Sequence, residues 1–215
     1  MELIKSNHNL LLSSEQKEHM IEEATKKYSE FLTALRFDWE NDIQMKDTPR
    51  RVAKMYVNEL FKGSYDKEPT ITEFENIDDD YHYAYDGMVF QGNIKVESVC
   101  CHHIIPFVGN AYIAYIPAKN GTVIGLSKLN RIVEYFARRP QIQENLTMQI
   151  HKYIDETLKD NKGVAVVIQA THLCVKMRGV KHDSTMMTSK LSGAFIDING
   201  SARKEFYDNI KLLQK

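Results

Sequence analysis

Two short segments of this chain hold all three of its cysteines and three of its eight histidines. They are residues 98–103 (SVCCHH) and residues 171–174 (THLC). Cys100 and His103 are three residues apart, so a tight turn can present a thiolate and an imidazole to one cation. Zinc binds such sulfur and nitrogen ligands, and three protein ligands with one open position are typical of a catalytic site. The clustering favours a metal site over the alternative, in which small apolar thiols fill a core.

The length and charge of the chain limit the classes of protein it can belong to. A chain of 215 residues forms one domain, or one domain with an appended segment, and its net charge of -1 argues against binding to nucleic acid or to a membrane surface. Three cysteines without a framework spacing favour a reducing compartment. The N-terminus has too short an apolar run for a signal peptide, and Pro106 and Gly109 break the most apolar later stretch. We therefore predict a cytoplasmic protein that binds neither nucleic acid nor membranes.

The N-terminal part of the chain is predicted to be helical. Residues 13–15 (SSE) are typical of a helix cap, and apolar residues recur at helical spacing from Met20 to Leu35. A second helix is predicted to begin at Thr48 and to end at Gly63. Residues 64–86 are acidic and aromatic, and we predict a loop there. The expected division is an N-terminal helical segment, residues 1–64, and a second domain, residues 65–215.

The second domain is predicted to alternate strands and helices in an order that favours an antiparallel sheet. The predicted strands cover residues 88–96, 104–116, 164–168, 174–177 and 191–198. The predicted helices carry the apolar patterns of residues 129–136, 146–158 and 202–213. Two strands, two helices and two further strands in succession favour an α+β fold over a parallel βαβ fold.

Several long motifs resemble the zinc-dependent type of GTP cyclohydrolase I. They are SVCCHHIIPFVGNAYIAYIP, GLSKLNRIVEYFARRPQIQENLTMQI and ATHLCVKMRGVKHDSTMMTS, with TPRRVAKMY and YDGMV upstream. The resemblance covers the chain from about Thr48 to its end. It implies an α+β T-fold, an antiparallel sheet with two helices on one face, assembled into a homodecamer. It also implies hydrolytic opening of the guanine imidazole ring of GTP, loss of formate and rearrangement to 7,8-dihydroneopterin triphosphate, for folate or related pterin or 7-deazapurine biosynthesis.

The resemblance assigns a Zn²⁺ site and the groups that transfer protons. It implies that Cys100, His103 and Cys174 bind the metal, while Cys101 occupies a position where the family usually has glutamate. Oxidation could join Cys101 to a ligand cysteine in a disulfide. His102 and His172 match acid/base histidines, and the alternative for His102 is support of the zinc site.

The remaining assignments concern substrate recognition. Ser127 matches a serine that assists ribose rearrangement, and it could equally cap the following helix. Glu144, with Gln143 beside it, matches the position that accepts hydrogen bonds from guanine; the alternative is a solvated glutamate in the first turn of a helix. The triphosphate is expected to bind cationic side chains by the same resemblance, namely Arg51, Lys54, Lys128, Arg131 and Arg178. Arg138 and Arg139 are interpreted instead as a charged helix end. These residues come from distant segments, and the resemblance implies a pocket that forms at subunit contacts.

Two further residues depart from the family pattern, and two alternative functions are disfavoured. Pro140 and Met186 replace residues more usual in the family, and we interpret both as packing changes. A structural zinc module that binds a partner or nucleic acid would need four protein ligands with no open position, and a basic face. This sequence offers three ligands and near-neutral charge. A different T-fold enzyme acting on a pterin or deazaguanine is disfavoured by the GLSK and QE residues between the ligands.

Overall fold

This computed structural model describes residues 3–214 and contains a five-stranded sheet. The chain divides into two compact units, Met1–Glu68 and Pro69–Lys215. The division into domains after residue 64 stays a prediction.

The N-terminal unit is helical, as its apolar pattern predicts. Its elements are α1 (Ser14–Ala34), α2 (Thr48–Met55), a π-helical turn (Tyr56–Leu60) and α3 (Lys62–Tyr65). A capping box begins α1, because the Gln16 amide N–H donates to Ser13 Oγ at 3.2 Å and Gln16 Oε1 accepts from the Ser13 N–H at 2.8 Å. Ile21, Ala53 and Val57 form the small apolar core of this unit. The second predicted helix is thus correct in position but contains a wider turn after Met55.

The second unit contains the sheet and the helices that cover it. Its strands are β1 (Glu73–Glu75), β2 (Val89–Cys100), β3 (Pro106–Pro117), β4 (Thr122–Ile124), β5 (Pro140–Gln141), β6 (Asn161–His172) and β7 (Thr185–Leu191). The main sheet has the order β5-β2-β3-β6-β7, in which only the short β5 pairs parallel to its neighbour. β1 and β4 form a separate antiparallel pair. The antiparallel arrangement confirms the predicted α+β class.

Helices cover both faces of the main sheet. Those of this unit are α4 (Leu126–Ala137), α5 (Gln143–Thr157), α6 (Leu173–Lys176), a 3₁₀ turn (Gly193–Phe195) and α7 (Ser201–Leu213). The apolar sides of α4 and α5 pack on one face against residues such as Val96, Ile113 and Val166. The 3₁₀ turn and α7 pack on the opposite face, where Phe195 and Phe206 are fully buried. Because side chains alternate along each strand, both faces of the central strands are apolar.

The structure corrects three details of the predicted elements. The strand predicted at residues 174–177 is wrong, because Cys174 lies in the one-turn helix α6. The strand predicted at residues 191–198 is also wrong: β7 ends at Leu191, and the 3₁₀ turn follows. The loop predicted at residues 64–86 includes the end of α3 and the short strand β1. These are short elements, for which pairing with neighbours outweighs local sequence preference.

Within residues 3–214, no helix is both long enough and apolar enough to cross a bilayer. A cytoplasmic location stays a prediction.

Candidate functional site

The turn between β2 and β3 carries Cys100 and His103, two of the three predicted metal ligands. Cys100 is the last residue of β2, and two backbone hydrogen bonds close the turn behind it. The Cys100 N–H donates to the Ile105 carbonyl at 2.9 Å, and the Ile104 N–H donates to the Cys100 carbonyl at 2.9 Å. Ile104 has a φ of 54°, a left-handed conformation that is strained for a β-branched residue. The turn therefore holds Ile104, the residue after His103, in a conformation that an isolated peptide of this sequence would rarely adopt.

The pairing of β3 with β6 brings Cys174 to the same place. Phe107 near the start of β3 pairs with His172 at the end of β6, and Cys174 follows in α6. One ligand atom each of Cys100, His103 and Cys174 lies within 4.8 Å of the others. Tetrahedral zinc with bonds of about 2.0 to 2.3 Å holds its ligand atoms roughly 3.3 to 3.8 Å apart, so small side-chain rotations suffice to close this cluster on a metal. In the described part of the chain, this group contains no fourth ligand, and Cys101 is not a member.

The surroundings of the cluster affect its thiols and its imidazole. Burial raises the pKa of the Cys174 thiol, and the neighbouring Cys100 thiol raises it further. Burial also raises the pKa of the Cys101 thiol. A bound cation would lower the pKa of a ligand thiol, because the thiolate is the form that binds metal. Arg178 Nη1 donates a hydrogen bond to His103 Nε2 at 2.6 Å, which places a guanidinium cation beside the cluster.

The cluster opens on a cavity of about 280 Å³. The cavity is lined by Cys100, His102, Gln141, Ile142, Gln143, Glu144, His172, Cys174 and Met186. Glu144 is an exposed residue in the first turn of α5, so its carboxylate is available to a ligand. This cavity is therefore lined by six of the residues that the sequence analysis assigned to the metal site, to proton transfer or to guanine: Cys100, His102, Gln143, Glu144, His172 and Cys174.

His172 is held on two sides. Its ring lies flat against that of Phe107, with centroids 4.6 Å apart and planes inclined by 6°. Its Nε2 lies 2.8 Å from Gln143 Oε1. Burial lowers the pKa of His172, and the Glu144 carboxylate opposes that shift. Phe107 carries no polar group, so its contact with His172 follows from strand pairing and had no signal in the sequence.

His102 lies next to Cys100, one of the three residues that could hold a metal ion. Its Nδ1 is 3.6 Å from Cys100 Sγ, and its side chain is otherwise exposed. This contact is compatible both with proton transfer and with support of a ligand thiolate, the two interpretations drawn from the sequence.

The other predicted substrate residues do not line this cavity. Ser127, Lys128 and Arg131 lie at the beginning of α4. The N-cap of α4 is Gly125, so the alternative in which Ser127 caps the helix is wrong. Arg51 and Lys54 are exposed on α2 of the N-terminal unit, where Arg51 pairs with Asp47 at 3.4 Å.

The arginines at the end of α4 have structural partners. Arg138 is the C-cap of α4 and forms an ion pair with Glu97 at 2.7 Å. Arg139 is 4% exposed, and its guanidinium lies 4.4 Å from the ring centroid of Tyr135. These contacts agree with their interpretation as a charged helix end.

Comparison with known proteins identifies related chains. The family model described as GTP cyclohydrolase I matches residues 24–211. A protein of Flavobacterium johnsoniae named GTP cyclohydrolase 1 is 45% identical over 197 residues, covering 91% of this chain and 83% of the relative. One of Shewanella loihica with the same name is 42% identical over 199 residues, covering 92% and 87%. The archaeosine synthase QueF-Like in its apo form is a more distant structural neighbour, with 14% identity, a TM-score of 0.38, and coverage of 48% of this chain and 92% of the neighbour.

Proposed function

The chain belongs to the GTP cyclohydrolase I family and is therefore a hydrolase acting on GTP, and from this premise we propose how its residues perform the reaction. The match extends into α1, further than the motifs that begin at Thr48 indicated. The reaction opens the imidazole ring at C8, releases formate and closes 7,8-dihydroneopterin triphosphate. The observation that carries our proposal is that ligand atoms of Cys100, His103 and Cys174 lie within 4.8 Å of one another, beside a cavity that Cys100, Cys174 and Glu144 line.

We propose that these two thiolates and one imidazole hold Zn²⁺. The donor set fits zinc, and the three ligand atoms are close enough to bind one ion. Zinc held by three protein ligands, with one position open, would lower the pKa of a water there to about 7 and so would make a nucleophile available at neutral pH. Cys100 is buried and His103 is exposed, so one side of the site is shielded from bulk solvent and another is open to it.

The remaining cavity residues would orient guanine and move protons. Glu144 would accept hydrogen bonds from the N1–H and exocyclic amine of guanine, since a carboxylate offers two acceptor oxygens in that geometry. His102 and His172 would exchange protons with N7 and the ribose ring oxygen, because imidazole both donates and accepts near neutral pH. Direct contact of Gln143 with guanine stays a prediction from the resemblance.

The triphosphate and ribose are proposed to bind residues outside this cavity. Ser127 would assist ribose rearrangement, and the phosphates would bind the cations Arg51, Lys54, Lys128, Arg131 and Arg178. Since α4 does not line the metal cavity of its own chain, we propose that its residues complete the cavity of another protomer.

A homodecamer would supply such contacts, and the sheet has edges suited to it. Within the described residues, β5 pairs only with Val99 and Cys100, so most of β2 has one neighbour, and β7 has one neighbour along its length. Unpaired backbone groups on sheet edges are the usual sites at which strands of another chain add. Native mass spectrometry would test the assembly: a ten-protomer mass supports it, and a monomer at working concentration contradicts it.

Turnover of GTP by zinc-loaded protein tests the chemistry. We expect the wild type to form equal amounts of formate and of a pterin, the latter detected by its fluorescence. Cys174→Ala should lose both the metal and the activity, because two ligands hold zinc poorly. Cys101→Ala is the matched control: it removes a neighbouring thiol outside the cluster, so metal content should stay at one ion per protomer. Equal metal loss in both variants would contradict the assignment of Cys174 as a ligand.

Mixed oligomers test whether α4 acts on a neighbour's cavity. Cys174→Ala and Lys128→Ala should each be inactive alone. If the site combines two protomers, mixing the unfolded variants and refolding them together should restore up to about a quarter of wild-type activity, the fraction of sites that random pairing leaves intact. Mixtures that stay inactive, although their oligomers form, would place all the residues of one site on one chain.

A further inference from the structure

The side-chain amide of Gln143 has only one possible orientation. Gln143 is 1% exposed, and its Nε2 lies 3.0 Å from the Ile168 carbonyl and 3.2 Å from the Met186 carbonyl. Carbonyl oxygens only accept hydrogen bonds, so the NH₂ group must face them. The reversed amide would place Oε1 against two other oxygens inside the protein, with no donor between them. Its orientation is thus determined by the backbone of β6 and β7.

A pair of threonine hydroxyls reinforces this orientation. Thr147 Oγ1 donates to the Gln143 backbone carbonyl at 2.8 Å, which uses its single hydrogen. Thr147 and Thr188 hydroxyls lie 2.6 Å apart, so Thr188 must donate to Thr147. Thr188 Oγ1 is then free to accept from Gln143 Nε2, which lies at 3.1 Å. Every hydrogen in this chain of bonds has an acceptor, and no second arrangement satisfies all of them.

The fixed amide in turn determines which ring nitrogen of a neutral His172 carries the hydrogen. Gln143 Oε1 can only accept, and it lies 2.8 Å from His172 Nε2, so that nitrogen carries a hydrogen. A neutral imidazole has one N–H, which leaves Nδ1 without a hydrogen. Stacking on Phe107 keeps the ring in its plane. We infer that Gln143 is a positioning residue: it holds neutral His172 as the Nε2–H tautomer and leaves Nδ1 as the nitrogen that exchanges a proton with substrate.

This inference rests on the proposed role of His172 and gives Gln143 a role other than the contact with guanine that the resemblance implies. The two roles have different kinetic consequences. A residue that binds guanine equally in the ground and transition states changes KM, whereas a residue that sets the tautomer of an acid/base group changes kcat. The buried amide hydrogens of Gln143 already bond within the protein, which is why we expect the second effect.

The first experiment measures the tautomer without relying on turnover. The protein is labelled with [¹⁵N]histidine, and solid-state ¹⁵N NMR is recorded at a pH at which the ring is neutral. The His172→Ala spectrum, subtracted from that of the wild type, isolates the His172 signals. We expect a protonated Nε2 and an unprotonated Nδ1. A hydrogen on Nδ1 in the wild-type neutral ring would overturn the inference, whatever the activity of the protein.

The second experiment separates positioning from binding. Gln143→Met has a similar volume but neither donor nor acceptor, and it should lower kcat about 100-fold with KM for GTP changed less than about threefold. Thr188→Val removes one acceptor of the Gln143 amide without touching His172, and it should lower kcat about fivefold. Gln169→Met, on the same strand as His172 but bonded to Gln214, is the matched control and should leave both constants unchanged.

The outcomes of the two experiments are distinguishable. A raised KM with unchanged kcat in Gln143→Met would overturn the inference and show direct binding of guanine. A mixture of His172 tautomers in Gln143→Met, with zinc content unchanged, would support it. Absence of pterin formation by the wild type would contradict the proposed function instead, and the tautomer of His172 would still be decided by NMR.

Discussion

Replacement of Tyr115 by phenylalanine tests the hydrogen bond that anchors the chain just before α4. Tyr115 is fully buried on β3, and its hydroxyl accepts a hydrogen bond from the Ile124 N–H at 3.0 Å. Ile124 ends β4, and the next residue, Gly125, is the N-cap of α4, the helix that carries Ser127. The second contact of the hydroxyl, 3.5 Å to the Ile124 carbonyl, is too long to contribute much.

The magnitude follows from what the substitution leaves behind. Phenylalanine keeps the ring and its apolar contacts, so only the hydroxyl is lost. Ile124 is 4% exposed, and its N–H would remain buried without this acceptor. A buried donor left unsatisfied costs about 1 to 3 kcal/mol, and we expect Tyr115→Phe to lower the free energy of unfolding by about 2 kcal/mol. For a chain of this size, that corresponds to a Tm lower by about 4 to 8 °C.

Tyr112→Phe is the matched control on the same strand. The Tyr112 hydroxyl accepts from Gln214 Nε2 at 3.4 Å, but that amide also donates to Gln169 Oε1 at 2.6 Å, so removal of the hydroxyl leaves no donor stranded. Its loss should stay below about 0.5 kcal/mol. Urea denaturation at a fixed protomer concentration measures both variants, since oligomer stability depends on concentration. Equal losses in the two variants would refute the reasoning that the Ile124 N–H depends on Tyr115.

Three further predictions concern the metal, the sheet and a buried histidine. Removal of zinc by a chelator should abolish pterin formation while far-UV circular dichroism is unchanged, because an apolar core holds the sheet; unfolding on chelation would indicate a structural metal instead. Gly109→Ala should lower the free energy of unfolding by about 3 kcal/mol, since the added Cβ would lie 2.0 Å from the Gln169 carbonyl oxygen; a thermal melt like that of the wild type would show that β3 and β6 can separate at little cost. Burial lowers the pKa of His151 in the folded protein, so its contribution to stability is present above the unfolded pKa of about 6.5 and is lost as the pH falls below that value. Urea denaturation at pH 7 and pH 5 should therefore show a smaller acid-induced loss for His151→Gln than for the wild type, and identical losses would show that another group is responsible.

The accuracy of the predicted elements depended on their length and context. The long helices were predicted correctly, because periodic apolar residues identify the buried face of an element. The central strands were predicted in the right places, although the predicted residues 164–168 cover only part of β6. The predictions at residues 174–177 and 191–198 were wrong, because short apolar runs fit a helix, a strand or a turn equally well. In β7, polar and apolar residues alternate, but pairing with β6 determined where the strand begins and ends.

The chemistry that this chain can offer is already visible in its sequence: two thiols and an imidazole in short segments, further histidines beside them, and motifs characteristic of one enzyme family. The spacing of Cys100 and His103 is local, so a single turn accounts for their proximity. Cys174 lies some 70 residues further on, and only the register between β3 and β6 brings it to the same cluster. The contact of Gln143 with His172 likewise depends on where α5 packs against β6 and β7. Tertiary structure decided these contacts because hydrogen-bonded strand register and helix packing join residues whose separation along the chain carries no information about their distance in space.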